Sequence, residues 1–528
     1  MNLLHFFRTG PDKPLLPDRD QIRRIYERKR IEVFASIVIG YTFFYVCRLS
    51  FSAVKKPMLD AGILNADQMG KIGSALFFSY AIGKLINGFL CDRTHVGRFI
   101  ASGLLASAVT ILFFGANGLV GVPLIWLFTL LWGLNGWFQS MGSAPCGAAL
   151  SYWYSNNERG TWYGLWSASH SLGGAFNYVV TATIAFYFGW RWGFWSAGLW
   201  SLAVALILYK TLADRPQTLG LPPVADYRND HGEAPAKHTS VGRAQLEVVK
   251  NPYVWILGFS CVAMYIARYG IDSWGMLFLQ ESKGYDLIGA GFILSTAKLV
   301  ETCGSVFSGI ISDRFFGARR NVATLMYGLF QTAGLLVLFL SPSTQLGSID
   351  LALKDSLRPG VIDSAALQAI TRQGISIPQD CVVAGTSKNG DGAWTVTPPG
   401  WFGRWTGYRI VESSTELIVG QKYNLVHFLG LFMFGFGLGG MLVFLGGLIA
   451  IDICPKRAAG AAMGFVGMFS YLGAAVQDRV SGALLEAGKM TLHGQATHNF
   501  SAAFLFWLVA SVMSVLLSSL LWKVKAKD

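Results

Sequence analysis

Apolar runs, each closed at both ends by charged or turn-forming residues, recur along the whole chain. They fall at residues 32–54, 70–91, 99–119, 123–150, 162–188 and 192–210, and again at 252–279, 287–311, 321–341, 424–450, 459–485 and 501–521. Each is long enough to cross about 30 Å of hydrocarbon as a helix. The pattern therefore predicts an all-α polytopic membrane protein with twelve transmembrane helices in two six-helix halves, 32–210 and 252–521. A polar stretch at 211–251 with Pro216, Gly220, Pro222 and Pro223 reads as the linker between them. Segments 1–31 and 522–528 flank the halves.

The second half repeats the first. Gly88-Phe-Leu-Cys-Asp92-Arg93 returns as Gly309-Ile-Ile-Ser-Asp313-Arg314, and an arginine set deep in the first run, Arg48, returns as Arg268. Both echoes stand roughly 220 residues downstream. Glu32 precedes Arg48 by as many residues as Pro252 precedes Arg268, which predicts similar depths in helices of the same direction. The offset lengthens only after the ninth run, where residues 342–423 form a small polar insertion expected on the extracytoplasmic side. Within it a short helix is expected at Asp363–Arg372, and Val382-Val383 could pair with Trp394–Val396 across Asn389-Gly390. Asn389 makes no glycosylation sequon, which favours a prokaryotic membrane.

Composition agrees with this layout: 52% of the residues are hydrophobic, 14% are charged, and there are 61 glycines. The net charge of +13 would suit nucleic acid, but the basic residues collect in alternate loops. Arg23, Arg24, Arg28, Lys29 and Arg30 precede the first run, and Lys523, Lys525 and Lys527 end the chain. This is the positive-inside bias; it places both termini in the cytoplasm, makes the first run a retained anchor and excludes a nucleic-acid partner. The 7 cysteines show no metal-ligand spacing, and Cys381 stands alone in the polar insertion, so neither a metal site nor a structural disulfide is expected.

An arginine at membrane depth costs about 2.5 kcal/mol or more, so it faces a bundle interior or an aqueous cavity. Two at matching positions point to one anion site. Arginine offers a planar fork of donors suited to phosphate oxygens, where lysine offers only a point charge. Tyr45 and Tyr265 each precede an arginine by one turn on the same helix face. With Tyr41 they either hydrogen-bond a ligand or pack.

Gly88-x-x-x-Asp92-Arg93-x-x-x-Gly97-Arg98, with its echo from Gly309 to Arg320, resembles the signature loop of the major facilitator superfamily. Gly40-Tyr41 to Arg48, Gly136-Trp137-Phe138-Gln139, Pro145-Cys146-Gly147, His170-Ser171-Leu172-Gly173-Gly174, Asp214-Arg215-Pro216-Gln217 and Tyr265 to Gly270 resemble the organophosphate:phosphate antiporters of that superfamily. Gly464-Phe465-Val466-Gly467 to Tyr471-Leu472-Gly473 resembles the same group, nearest its hexose-phosphate transporter and sensor branch. The resemblance spans both halves and leaves out the tails and the insertion.

It implies a major facilitator fold in a bacterial inner membrane, needing no cofactor and catalysing no reaction. The implied function is exchange of a phosphorylated metabolite, first a hexose phosphate such as glucose 6-phosphate, for inorganic phosphate by a monomer in the lipid bilayer. A sensor of external sugar phosphate is the alternative, as is a carrier of glycerol 3-phosphate or of phosphoenolpyruvate-type substrates. Arg48 and Arg268 would hold the phosphate, with Lys84 and His170 as further binding residues. Asp92, Arg93, Arg98, Asp313 and Arg314 would make loop contacts that break as the halves rock.

Three departures from the family fall near the expected cavity. Gly142-Ser143-Ala144-Pro145-Cys146-Gly147-Ala148 lacks a Trp-Pro pair and a following basic residue. Lys298 stands where relatives have a glutamate, with Glu301 one turn on, so either the two pair or the cavity gains a cation. In Gln477-Asp478-Arg479, the Asp478-Arg479 pair either contributes to the site or neutralises itself.

Overall fold

The computed structural model describes residues 6–522, apart from 92–93, 120, 231–246, 317–319, 450–452, 454–458, 493–494 and, in the insertion, 358, 373, 375–376, 379, 385–392, 400–406 and 414–415. Among these residues the first half contains helices α1 (Arg19–Asp60), α2 (Ala66–Cys91) and α3 (Val96–Ala116). Its remaining rods are α4 (Ile125–Gln139, continued by Ser143–Trp153), α5 (Asn156–Phe176, continued through a π turn by Ala182–Phe188) and α6 (Trp190–Thr211). The second half contains α7 (Pro252–Glu281), α8 (Leu287–Phe316), α9 (Arg320–Leu340), α10 (Leu425–Val443), α11 (Ala459–Ala487) and α12 (Ser501–Ser519). Eight of these, all but α2, α4, α5 and α11, are long and apolar enough to cross a membrane. The other four are interrupted or carry more polar residues, and α2, α5 and α11 supply the surfaces where the halves meet.

Local chemistry starts several rods cleanly. The Asp18 side chain accepts from the N–H of Asp20 at the head of α1, and Asn251 does the same for Tyr253 ahead of Pro252 in α7. Asp214 in the linker accepts from the N–H of Val96 at 3.0 Å, so a residue after α6 caps α3. Helix α1 begins well before the apolar run because Tyr26 stacks on Tyr227 (3.9 Å) and meets Trp153 (5.5 Å), which gives its polar first turns a face to bury.

The two halves share one packing scheme. In the first, α1 packs on α5 and α6, α3 on α4 and α6, and α2 on α4. In the second, α7 packs on α11 and α12, α9 on α10 and α12, and α8 on α10. The sequence repeat is thus a structural repeat. The halves meet through α1 with α7, α2 with α11, and α5 with α8.

The insertion leaves the bundle after α9 and returns at α10, at the end opposite Phe6 and Trp522. Strands β1 (Gln345–Asp350), β2 (Gly360–Val361), β3 (Val382–Ala384), β4 (Ala393–Thr397), β5 (Tyr408–Glu412) and β6 (Glu416–Gln421) form an antiparallel sheet in the order β1-β6-β5-β4-β3-β2. Val383 pairs with Val396, so the expected strand pair is present, while the Asn389-Gly390 turn lies outside the described residues. Trp394, Val396, Leu417 and Val419 alternate inward, as period-2 strands require, over Ala366 and Ile370 of the short helix Ser364–Arg372. The insertion therefore has a core of its own. It is tied to the bundle through Thr344, whose N–H and Oγ1 both donate to the Lys283 carbonyl (2.9 and 2.7 Å), and through the Lys283 ammonium, which donates to the Ser341 carbonyl.

Cys381 lies within that separate core, and burial, with the Asp380 carboxylate beside it, pushes its thiol up. At pH 8 the native protein is expected to protect Cys381 from alkylation by about tenfold or more relative to the urea-unfolded chain, as read by peptide mass spectrometry.

A second hairpin, β7 (Lys489–Leu492) with β8 (Gln495–His498), joins α11 to α12 at the same end as the insertion. That end is sealed between the halves. Ser52 Oγ and the Tyr178 hydroxyl both donate to the Asp272 carbonyl (2.8 and 2.7 Å). Lys56 lies 3.6 Å from Glu281, Arg479 pairs with Asp67 at 2.7 Å, and the Ala66 N–H donates to Glu486 at 3.0 Å.

Candidate anion site between the halves

Arg48 is almost fully buried in α1. Its Nη1 donates to the Tyr471 hydroxyl of α11 and its Nη2 to Gln139 Oε1 of α4, both at 3.2 Å. The rings of Tyr45 and Tyr80 each lie 4.5 Å from its guanidinium carbon, and Tyr471 lies 5.7 Å away. Gln139 is aimed by its own amide, which donates to Ser107 Oγ at 2.9 Å, leaving Oε1 for the arginine. None of these partners is a carboxylate, and Nε has no hydrogen bond.

Arg268 in α7 sits in a different setting. Its Nε donates to Asp272 one turn on at 3.3 Å, and Nη2 lies 3.7 Å from Glu301 of α8 without a hydrogen bond. Lys298 places its ammonium 2.6 Å from both Asp272 and Glu301. His170 of α5 stands 3.6 Å from Glu301 and 5.5 Å from the Tyr45 ring. Two cations thus share two carboxylates around Arg268, whereas Arg48 has aromatic faces and an amide.

Tyr471 links the two arginines. Its hydroxyl accepts from Arg48, and its ring meets Tyr265 and Tyr269 (5.4 and 6.4 Å), which flank Arg268 with centroids at 5.4 Å. Lys84 of α2 holds its ammonium 5.2 Å from the same ring, close beside Gly467, where a side chain would meet it. Arg48, Arg268, Lys84, His170, Tyr45 and Tyr265 are therefore gathered around one region between the halves. Tyr41 packs on Trp166 at 4.8 Å and against Gly142, with its ring 5.6 Å from that of Tyr45.

Asp478 and Arg479 do not neutralise each other. Asp478 is buried and accepts from Trp274 Nε1 at 2.8 Å, while Arg479 reaches outward to Asp67. Lys298 is likewise engaged by two carboxylates and adds no unbalanced charge. Of the expected loop contacts, Asp92, Arg93 and the side chain of Asp313 lie outside the described residues. Arg98 donates to the Phe6 carbonyl at 2.9 Å, which ties the N-terminal segment to α3, and Arg314 is exposed at the end of α8.

Tyr80, Tyr269, Tyr471, Gln139, Asp272 and Lys55 belong to this network and are absent from the residues singled out for binding. Lys55 is the least expected: its ammonium lies 3.4 Å from the centre of the Trp274 ring, on the indole that donates to Asp478. Its signal was spacing, since it follows Arg48 by two turns on the same face.

A family model described as Major Facilitator Superfamily matches residues 37–354. The chain belongs to the Major Facilitator Superfamily. The membrane sensor protein UhpC of Salmonella typhimurium is 30% identical over 489 residues, covering 92% of each chain. A probable hexose phosphate transport protein of Chlamydia pneumoniae is 35% identical over 339 residues, covering 61% of this chain and 73% of that protein. The hexose-6-phosphate:phosphate antiporter of Escherichia coli is 28% identical over 329 residues, covering 60% and 71%. These relatives put this major facilitator in the organophosphate:phosphate antiporter branch. A solved bacterial homolog of the human lysosomal transporter Spinster superposes with a TM-score of 0.61 at 14% identity, over 95% of this chain and 99% of that one, a likeness of fold.

Proposed function

We propose that this major facilitator exchanges a phosphorylated metabolite, a hexose phosphate such as glucose 6-phosphate first, for inorganic phosphate by alternating access. The reading places it as a monomer in a bacterial inner membrane with both termini cytoplasmic, acting as a carrier and not as an enzyme. The observation that carries it is Arg48: a buried guanidinium hydrogen-bonded to a phenol and an amide and to no carboxylate, with its Nε unpartnered, at a boundary between halves that must part and rejoin. A buried cation with no carboxylate beside it is costly, and an anionic ligand supplies a counter-charge.

In the proposed cycle phosphate docks at Arg48, engages Arg268 across the Tyr471 ring and draws the halves together. Repulsion between the two arginines cannot by itself enforce exchange, because Asp272 and Glu301 offset the charge around Arg268. Arg48 and Lys84 stand against Tyr471 and have no carboxylate partner among the described residues. Proteoliposomes loaded with phosphate are expected to take up labelled glucose 6-phosphate and phosphate against their gradients by counterflow. Equal uptake into vesicles without internal phosphate would overturn the exchange reading.

The match to a membrane sensor protein over 92% of both chains supports a second reading, a receptor for external sugar phosphate. Turnover by the purified protein favours the carrier; saturable binding without turnover favours the receptor.

A further inference from the structure

The ammonium of Lys298 lies 2.6 Å from both Asp272 and Glu301, while the Arg268 guanidinium reaches the same two carboxylates only at 3.3 and 3.7 Å. Each carboxylate turns one oxygen to each cation, Asp272 Oδ1 and Glu301 Oε2 to the lysine and Asp272 Oδ2 and Glu301 Oε1 to the arginine, and the lysine has the shorter contact to each. Arg268 is consequently loosely held: its Nη2 is buried without a hydrogen-bond partner.

We propose that Lys298 is a positioning residue, which occupies Asp272 and Glu301 so that the Arg268 guanidinium stays available to an incoming phosphate. The proposal rests on the phosphate-binding reading above. Lys298 reaches its place from α8 along Gly174 of α5, where a side chain would meet the lysine stem at 3.2 Å. The groups facing the cluster are Arg268 and Asp272 from α7, Lys298 and Glu301 from α8, and His170 from α5. Without the lysine, two carboxylates confront one arginine. They would close on its fork, which is shaped to accept them, and the excess negative charge would repel phosphate.

The test is equilibrium binding of labelled inorganic phosphate to the purified full-length protein, with thermal unfolding followed in parallel. Lys298→Met is expected to raise Kd for phosphate by about tenfold or more, and Lys298→Arg to stay within about threefold of wild type. Adding Asp272→Asn to Lys298→Met restores the balance of one cation to one anion and is expected to bring Kd back to within about threefold of wild type. A double variant as weak as Lys298→Met would mean that the ammonium itself binds phosphate, and would overturn the positioning role. If Lys298→Met fails to fold, the double variant decides: Kd within threefold of wild type supports the role, and a tenfold rise overturns it. Unchanged binding by a folded Lys298→Met, with normal wild-type binding, overturns this role alone. Absence of phosphate binding by the wild-type protein overturns it together with the reading on which it rests.

Discussion

Arg48→Lys is expected to lower phosphate exchange by roughly 10- to 100-fold in proteoliposomes of matched protein content, without loss of the folded protein. The arginine reaches Tyr471 with one Nη and Gln139 with the other, which fixes the guanidinium plane between the Tyr45 and Tyr80 rings. A lysine keeps the charge, but its single ammonium cannot span both partners and still offer a second donor to phosphate. Losing one charge-assisted hydrogen bond of about 1.5–3 kcal/mol accounts for the size of the effect. Arg268→Lys is expected to fall at least as far for another reason. A compact ammonium beside Asp272 and Glu301 would settle on those carboxylates with Lys298 and withdraw from the site. Normal exchange by both lysine variants would remove the phosphate clamp from consideration.

The two arginines were legible because a charged residue inside an apolar run is a local signal, and its recurrence at the repeat offset doubles it. The repeat itself was legible for the same reason, and the matched packing of α1 on α5 and α6 with that of α7 on α11 and α12 is its three-dimensional counterpart. The surroundings were harder to read, because tyrosines are as common in packing as in binding. Tyr45 and Tyr41 share a helix and differ by one turn, yet one covers Arg48 and the other packs on Trp166. Which tyrosine lies over the guanidinium depends on how α1 is rotated against α5 and α11, and no spacing within α1 states that rotation.

The Asp478-Arg479 pair illustrates the converse. Adjacent residues on a helix point roughly 100° apart, so mutual neutralisation was geometrically the weaker alternative from the start. The structure sends Asp478 to Trp274 and Arg479 to Asp67. Lys298 remained open for a different reason. Glu301, one turn away, was visible in the sequence, but Asp272 arrives from another helix, and only packing of α7 on α8 brings it within 2.6 Å. The sheet order of the insertion and the β7-β8 hairpin were beyond the hydrophobic pattern because short half-exposed strands leave little periodicity to detect.

Gly482→Leu, made in the contact between α11 and α2, is expected to reduce exchange by about 30-fold or more while leaving each half folded. A Cβ at Gly482 would lie 2.7 Å from the Gly70 Cα and 2.6 Å from the Ala66 carbonyl, and one at Gly70 would lie 2.9 Å from the Gly482 Cα. Backbone stands on both sides, so no flexible side chain can yield. The two rods must separate instead. Leucine is a better helix former than glycine, and α11 keeps its packing on α7 as α2 keeps its own on α4, so the strain falls on the junction between halves. That junction is the seal on the insertion side, where Ser52 meets the Asp272 carbonyl and Arg479 meets Asp67. A Ser52→Cys reporter in a Cys303→Ser background reads the opening directly, since Ser52 is buried and Cys303 is an exposed native thiol. Gly482→Leu should make the reporter accessible to a membrane-impermeant thiol reagent added on the insertion side, at a rate at least about tenfold above the background, because the carrier is held open there. A carrier fixed on one side can bind its ligand but cannot complete a cycle, so binding should persist while exchange falls. Wild-type exchange with a reporter still shielded would show that the close approach of Gly70 and Gly482 is fixed packing and takes no part in the alternation.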